Sequence, residues 1–214
     1  ASGMSHPGLL QEAPALQHLS ARRRQHLLNA SRIERYRKGA VLFRQGQRAE
    51  WMWLILEGWV HLLRSAASGD HAAVIFTITP DEALCGISAI DADTYNLNAL
   101  AAAECVALRI PAEVFREALR REPEFAYHAF RLCARRIRHI AEQYGTMAEP
   151  VSVRIMRALL RLSRQFGDRL PMTHRELAQM SWTTTESAIR AVRTLKAKGY
   201  LSGRRGELTI QRPE

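Results

Sequence analysis

Residues 170–210 decide the fold of the C-terminal third of the chain, and they read LPMTHRELAQMSWTTTESAIRAVRTLKAKGYLSGRRGELTI. Thr173 is a good N-cap residue, and Glu176, three residues later, completes the capping-box pattern that marks the start of a helix. The sequence therefore predicts a helix that begins after Thr173 and ends near Ser181.

A second helix is predicted to follow after a short turn. Thr184 or Thr185 can cap this helix, and its pattern continues to about Lys198. Residues 200–202 and 207–210 are then expected to pair as a two-stranded wing around a turn rich in glycine and arginine. Helix, turn, helix and basic wing in this order are typical of a unit that places its second helix in the major groove of DNA.

The first turns of the second helix carry side chains that can recognise base edges. Arg190 can grip guanine through two acceptors, and Glu186 can accept a hydrogen bond from the amino group of cytosine. A basic helix face that is merely solvated would not explain the wing. The residues predicted to contact DNA are Thr173, Thr184, Thr185, Glu186, Ser187, Ile189, Arg190, Arg193, Arg204 and Arg205.

Positive charge is concentrated at the same end of the chain. Residues 150–214 hold 13 Lys and Arg against 5 Asp and Glu, whereas residues 1–149 hold 18 against 16. This asymmetry indicates a polyanionic partner. The three cysteines are widely spaced and suggest neither a disulfide framework nor a metal knuckle. With no signal-peptide pattern and no long apolar run, we expect a cytoplasmic protein that does not enter the membrane.

The middle of the chain has the texture of an all-β region. Short runs rich in β-branched and aromatic residues alternate with Gly, Asp and Pro, which predicts successive strands and a small barrel or jelly roll. The candidate strands are 31–36, 41–43, 51–56, 59–64, 72–79, 95–99 and 105–110.

Prolines then divide a helical region. Pro111 and Pro123 are predicted to open two successive helices, and Pro150 to end the second. Six side chains of the second helix recur at spacings of three and four, as in a two-stranded coiled coil. The opposite face is strongly charged, which favours a dimer seam over packing of the helix on its own domain. The seam residues are Phe130, Cys133, Ile137, Ile140, Tyr144 and Met147.

Two groups of motifs resemble the cyclic-AMP receptor protein/FNR (CRP/FNR) family. The segments THRELAQM at 173–180 and ESAIR at 186–190 resemble its helix-turn-helix, and 36–46 with 54–60 resemble its cyclic-nucleotide-binding-type barrel. The similarity covers essentially the whole chain. It implies a homodimeric regulator, not an enzyme, that reads a palindrome in double-stranded DNA with one helix per half-site, with RNA polymerase as a further partner.

The fold class expected from residues and resemblance together is α+β. It comprises a sensor β-barrel of the jelly-roll type at 4–120, a long dimerisation helix at 121–149 and a winged helix-turn-helix at 150–214.

The resemblance also implies a DNA sequence. Glu186 and Arg190 match the two principal base-reading positions of the family, and Thr185 stands where cyclic-AMP receptors carry another guanine-reading arginine. This pattern is more similar to the FNR branch, so we expect a TTGAT-type half-site rather than TGTGA. Ile189 replaces the serine of FNR and can make only an apolar contact, for example with a thymine methyl group.

The effector pocket departs from the family pattern. The resemblance places it at Cys85, Gly86, Ile87, Ser88, Tyr95, Asn96, Ile140 and Ala141. Ile87 replaces the glutamate that would hold the ribose, and Tyr95-Asn96 replace the arginine–serine pair for the cyclic phosphate. Ile140 and Ala141 replace the hydroxyls that would contact adenine. Because a phosphate without a counter-charge is costly in a cavity, cyclic AMP is disfavoured as the ligand.

None of the other cofactors known in the family is predicted from the residues present. An iron–sulfur cluster is disfavoured because no cysteine cluster lies near the N-terminus. Cys85 lies close to the haem cysteine of the carbon-monoxide-sensing member, which makes a haem-based gas or redox sensor the alternative function. The companion histidine position is Ile87, and no metal-ligand spacing is found. The signal is left open among an unidentified small molecule, redox control through a cysteine, and no ligand.

Overall fold

The computed structural model describes residues 13–65, 72–80, 83–84, 86–91, 94–204 and 206–211. The chain divides into two compact units, one formed by 1–65 and 75–138 and the other by 66–74 and 139–214. The sequence prediction of an α+β chain with a β-rich N-terminal part and a helical C-terminal part is confirmed.

The described part of the N-terminal unit begins with a 3-10 turn, Pro14–His18, and helix α1, Ala21–Ala30. Eight strands and a short helix follow: β1 Arg32–Tyr36, β2 Val41–Phe43, β3 Trp51–Glu57, β4 Val60–Ser65, β5 Ala72–Ile78, β6 Ala83–Leu84, α2 Gly86–Asp91, β7 Asn98–Ala101 and β8 Cys105–Pro111. They form two four-stranded sheets, ordered β1-β8-β3-β6 and β2-β7-β4-β5. Both faces of β3 are largely buried because one apolar cluster fills the inside of the barrel and another lies beneath the helices.

Prolines set the helix boundaries after the barrel, as predicted. Pro111 is the N-cap of helix α3, Ala112–Arg121, and helix α4, Pro123–Gly145, starts at Pro123. Phe125 and Leu132 are the fully buried apolar side chains of α4. A 3-10 turn, Thr146–Ala148, ends α4 just before Pro150.

The C-terminal unit contains three helices and a small sheet: α5 Val151–Phe166, β9 Arg169–Leu170, α6 His174–Met180, α7 Thr185–Ala197, β10 Leu201–Ser202 and β11 Leu208–Ile210. Helices α5, α6 and α7 bury their apolar faces in a common core that includes Ile155, Leu159, Leu162, Leu177, Val192 and Leu195. The strands pair antiparallel in the order β10-β11-β9.

Three sequence expectations need correction. The strand expected at 95–99 is instead Asn98–Ala101, because Tyr95 and Leu97 turn into the barrel core from the loop before it. The wing has a third strand, Arg169–Leu170, which is too short to leave a period-two pattern in the sequence. Helix Gly86–Asp91 was not anticipated. Residues 67–70, where the sequence Ala-Ser-Gly-Asp predicts a turn between two of the candidate strands, lie outside the described residues.

Candidate nucleic-acid interface

The predicted capping box fixes the start of helix α6. The Glu176 backbone N–H donates to Thr173 Oγ1 at 3.2 Å, and the Thr173 backbone N–H donates to Glu176 Oε2 at 2.7 Å. Both bonds satisfy backbone donors that the first helical turn leaves without intrahelical partners. The pair thereby anchors the first helix of the helix-turn-helix.

The turn between α6 and α7 has an unusual residue at its centre. Trp182 has a φ of 49°, which non-glycine residues seldom adopt. Hydrogen bonds on both sides hold this geometry. The Thr183 N–H donates to the Ala178 carbonyl at 3.0 Å, and Arg154 Nη1 donates to the Trp182 carbonyl at 3.2 Å. The sequence reasoning did not identify Trp182, because a tryptophan in a turn gives no local signal of positive φ.

Thr184, one of the two predicted candidates, is the N-cap of α7 and accepts from the Ser187 backbone N–H at 3.2 Å. Ala188, Val192 and Leu195 are buried, as predicted from their spacing. The opposite side of α7 is exposed to solvent. Its exposed side chains include Glu186, Ile189, Arg190 and Arg193, while Thr185 and Ser187 are half-buried.

The side chain of Arg190 is held by contacts within α7. Its Nη2 donates to Ser187 Oγ at 3.3 Å, and Ser187 Oγ also accepts from Thr184 Oγ1 at 3.1 Å. This chain of contacts along the exposed face holds the guanidinium over the first turn. The same exposed face carries the Glu186 carboxylate one turn earlier, so it offers both a planar double donor and an acceptor of the kind that can read guanine and cytosine edges.

The wing is built on a glycine that no other residue can easily replace. Gly203 has a φ of 112°, and a Cβ atom there would lie 2.4 Å from the Glu207 carbonyl oxygen. Lys196 Nζ donates to the Gly203 carbonyl at 2.7 Å and ties the wing to the last turn of α7. Arg204 is exposed on the wing, and Arg205 lies outside the described residues. The contribution of Lys196 was missed because a contact over seven residues across a turn has no sequence signature.

The predicted seam residues lie on the surface of α4. Phe130, Ile137 and Tyr144 are 70%, 68% and 73% exposed, Met147 and Ile140 are less so, and Cys133 is half-buried. Tyr127, one turn earlier and also exposed, extends the same stripe and was not predicted. A contiguous apolar stripe on a helix is typical of an interaction surface.

Tyr95 and Asn96, which were assigned to the effector pocket, make contacts within the barrel. Tyr95 is buried inside the barrel, stacks on Phe43 with ring centroids 3.9 Å apart, and its Oη donates to the Trp51 carbonyl at 2.7 Å. Asn96 is exposed, and its carbonyl accepts from Arg64 Nη1 at 3.1 Å. No lysine or arginine is fully buried in the part of the chain that the structure describes.

The remaining pocket positions are distributed over two elements. Gly86, Ile87 and Ser88 belong to helix α2, where Ser88 is buried, and Cys85 lies outside the described residues. Ile140 and Ala141 lie on α4, and both are exposed.

The two described cysteines, Cys105 and Cys133, are both free thiols. Cys105 is buried, and burial raises the pKa of its thiol, while its Sγ–H contacts the Trp59 carbonyl at 3.1 Å. Within the described ranges, no group of three or more His, Cys, Asp or Glu side chains is placed to hold a metal ion. No described helix has the length and apolar character that crossing a bilayer requires.

Comparisons with known proteins match both halves of the chain. The model of the cyclic nucleotide-binding domain matches residues 33–122, and that of the Crp-like helix-turn-helix domain matches residues 153–214. The cyclic AMP receptor protein of Thermus thermophilus is 28% identical over 168 residues, which are 78% of this chain and 77% of that protein.

Solved structures show the same fold at lower identity. The c-di-GMP responsive global regulator CLP of Xanthomonas campestris has a TM-score of 0.76 at 21% identity, covering 91% of this chain and 100% of that one. FixK2 of Bradyrhizobium japonicum has a TM-score of 0.74 at 17% identity, covering 85% and 93%.

A cyclic-nucleotide-binding-type barrel followed by a Crp-like helix-turn-helix defines a class of DNA-binding transcription regulators. This chain belongs to that class as a member of the CRP/FNR family.

Proposed function

We propose that this regulator acts as a homodimer that reads a palindrome of TTGAT-type half-sites, and that cyclic AMP is not its signal. The observation that carries the DNA assignment is the open face of α7, where Glu186 and Arg190 are both exposed on a capped helix whose other face is buried. Thr185 occupies the position where a further arginine would favour TGTGA.

The apolar stripe on α4 supports the dimer. Side chains as large as Phe130, Ile137 and Tyr144 are exposed at coiled-coil spacing, and a second copy of the same helix offers the matching surface. Two recognition helices in a two-fold dimer match two half-sites about one helical turn apart, so the dimer and the palindrome support each other.

The barrel interior argues against cyclic AMP. A cyclic phosphate needs a cation or several donors, and the position that resembles the phosphate-binding arginine is occupied by Tyr95 in the aromatic cluster with Phe43 and Trp53. The residues present do not fit this ligand. A different effector would act by stabilising the DNA-competent arrangement of the dimer.

The test is fluorescence anisotropy of the purified protein with a labelled TTGAT-N4-ATCAA duplex at fixed salt, with and without cyclic AMP. We expect selective binding over a scrambled duplex and no change on adding cyclic AMP. Replacement of TTGAT by TGTGA in both half-sites is the matched control. Equal affinity for the two sites would contradict the half-site assignment, and tighter binding with cyclic AMP would contradict the signal assignment.

A further inference from the structure

A cleft of about 410 Å³ lies within the C-terminal unit. Its walls come from the end of α4, from one face of α5, and from the turn between α6 and α7. This volume falls in the range of pockets that take small molecules and is too confined for a DNA duplex. The cleft is a separate feature from the exposed face of α7.

Four arginines of α5 line the cleft: Arg154, Arg157, Arg161 and Arg164. At about 100° per residue their spacing places all four within about 80° of the helix circumference, and Arg154 lies about 15 Å along the axis from Arg164. A row of guanidinium groups of this length matches an extended polyanion better than a single carboxylate, which one arginine fork can bind.

The positive charge in the cleft is only partly compensated. Glu142 is the one acidic side chain among the described lining residues, and Arg157 pairs with Glu149 at 2.9 Å. Arg161 donates to His139 Nε2. Burial, reinforced by Arg161, lowers the pKa of His139 to about 4, so the imidazole is a neutral acceptor.

Two arginines retain donor capacity. Arg154 Nε is buried and has no hydrogen-bond partner among the described residues, although its Nη1 donates to the Trp182 carbonyl. Arg164 makes neither a hydrogen bond nor an ion pair with any described residue. On a helix face in open solvent, water would hydrogen-bond to a guanidinium donor that has no protein partner. The Nε of Arg154 is buried in the wall of the cleft, where leaving a donor without a hydrogen bond is costly.

Part of the wall of the cleft is apolar and aromatic. Leu160, Met180 and Trp182 line it together with the arginines. The lining therefore combines a row of cations with apolar and aromatic surface, which suits a ligand that has a charged chain and a planar or apolar portion.

We propose that this cleft binds a small organic compound carrying two or more phosphate groups. The phosphates lie along the arginine row of α5, and the organic portion contacts Trp182. Arg154 Nε supplies a donor at the inner end of the row. Arg154 also holds the turn before α7, and no described residue of α7 lines the cleft, so the ligand contacts the helix-turn-helix at this turn rather than at the DNA-reading side chains.

Most of the α4 residues that line the cleft lie on a different face from the seam, and Met147, after the end of α4, borders both. At about 100° per residue, His139, Glu142 and Gln143 lie roughly 140° around α4 from the stripe of Ile137, Ile140 and Tyr144. Formation of a coiled-coil dimer through the stripe therefore leaves most of the cleft face of α4 uncovered by that seam.

The test is isothermal titration calorimetry of the full chain with sodium tripolyphosphate at constant ionic strength, in the absence of DNA. We expect one saturable site per chain and weaker binding of citrate, which carries carboxylates in place of phosphates. The double variant Arg157→Gln/Arg161→Gln should weaken tripolyphosphate binding about 10-fold or more, since each lost charge-assisted contact is worth that order.

Arg164→Gln provides a variant that disturbs no described contact, and we expect about a 3-fold to 10-fold loss from it. Two double variants are matched controls with the same charge change: Arg190→Gln/Arg193→Gln on the DNA-reading face and Arg120→Gln/Arg121→Gln on α3. Both should bind tripolyphosphate like the parent.

Three results would overturn the proposal: no saturable binding, equal loss in the control variants, or equal affinity for citrate. A loss confined to the Arg190/Arg193 pair would place the polyphosphate on the DNA-reading face and also overturn it. The titration contains no DNA, so its failure is distinguishable from failure of the proposed half-site.

Discussion

Lys196 Nζ donates a hydrogen bond to the carbonyl oxygen of Gly203 at 2.7 Å, so the last turn of the recognition helix and the start of the wing are joined. The wing is also held by its strands, since β11 pairs with both β10 and β9, and by Gln211 Nε2, which donates to Ser202 Oγ at 2.6 Å. Among these contacts, the lysine is the one that ties the Gly203 turn of the wing to α7.

Lys196→Met should release the wing while leaving the helix packed. We expect DNA affinity to fall about 3-fold to 10-fold, since one charge-assisted hydrogen bond is lost, with only a small change in Tm. Lys198→Met is the control, because it removes the same charge from an exposed position of the same segment. Anisotropy at fixed salt compares them, and equal losses would mean that charge alone matters.

Gly203→Ala should be strongly destabilising for the wing. The new Cβ would lie 2.4 Å from the Glu207 carbonyl oxygen at a φ of 112°. We expect a loss of about 1–3 kcal/mol in the free energy of unfolding, from backbone strain plus the clash. Gly206→Ala has a similarly positive φ of 82° but no atom within 4 Å of the added methyl group. Thermal melts should therefore show a clearly smaller effect for Gly206→Ala, and equal shifts would contradict the clash.

Arg190→Ala should remove one base-specific contact. We expect about 1–3 kcal/mol of lost binding energy on the TTGAT duplex and relaxed preference at one guanine. Arg204→Ala on the wing removes the same charge from a position expected to contact phosphates. That control should weaken cognate and scrambled DNA alike. If Arg190→Ala also reduced both equally, base recognition by Arg190 would be rejected.

Local signals predicted the DNA-binding half of the molecule well. The capping box at Thr173 and Glu176 and the buried spacing of Ala188, Val192 and Leu195 are statements about a few neighbouring residues, and the structure has them as expected. The starts of α3 and α4 were likewise predicted from single prolines, Pro111 and Pro123.

Contacts between distant segments could not be predicted in this way. Tyr95 was assigned to a strand and a pocket, yet its ring is drawn into the core by Phe43 and Trp51, which lie about fifty residues earlier in the chain. Likewise, the arginines of α5 show no function in the sequence, because only the fold brings them opposite His139 and Trp182. Burial and tertiary proximity, rather than propensity, decide these cases.

His139 should make the protein sensitive to acid. The pKa of its ring is lowered from 6.5 to about 4 in the folded state, first by burial and then by Arg161. The unfolded chain therefore takes up a proton at a pH where the native ring does not, and stability falls as pH decreases from about 6.5 towards 4. We expect this residue to contribute roughly 1 kcal/mol of that loss, because partial exposure reduces the full linkage value.

His139→Gln keeps an acceptor for Arg161 but cannot titrate. Urea unfolding at pH 7 and pH 5 should show a smaller difference for this variant than for the parent. An unchanged difference would mean that His139 is protonated at its ordinary pKa in the folded protein.

The stripe on α4 predicts the oligomeric state. Ile137 and Ile140 lie at the centre of the stripe and are 68% and 37% exposed. Burying the exposed part of each against a second helix stabilises a dimer by about 0.5–2 kcal/mol. Ile137→Glu/Ile140→Glu places four carboxylates in the shared seam and should yield monomers by sedimentation velocity. The same variant should bind palindromic DNA at least about 10-fold more weakly, because the two half-sites no longer act together.

Arg135→Glu/Arg138→Glu is the matched control, since both arginines are exposed on the opposite face of the same helix. It should remain dimeric despite its larger change in charge. An unchanged sedimentation mass for the isoleucine variant would reject the seam, whereas dissociation of both variants would show that the net charge of α4, and not its apolar stripe, governs assembly.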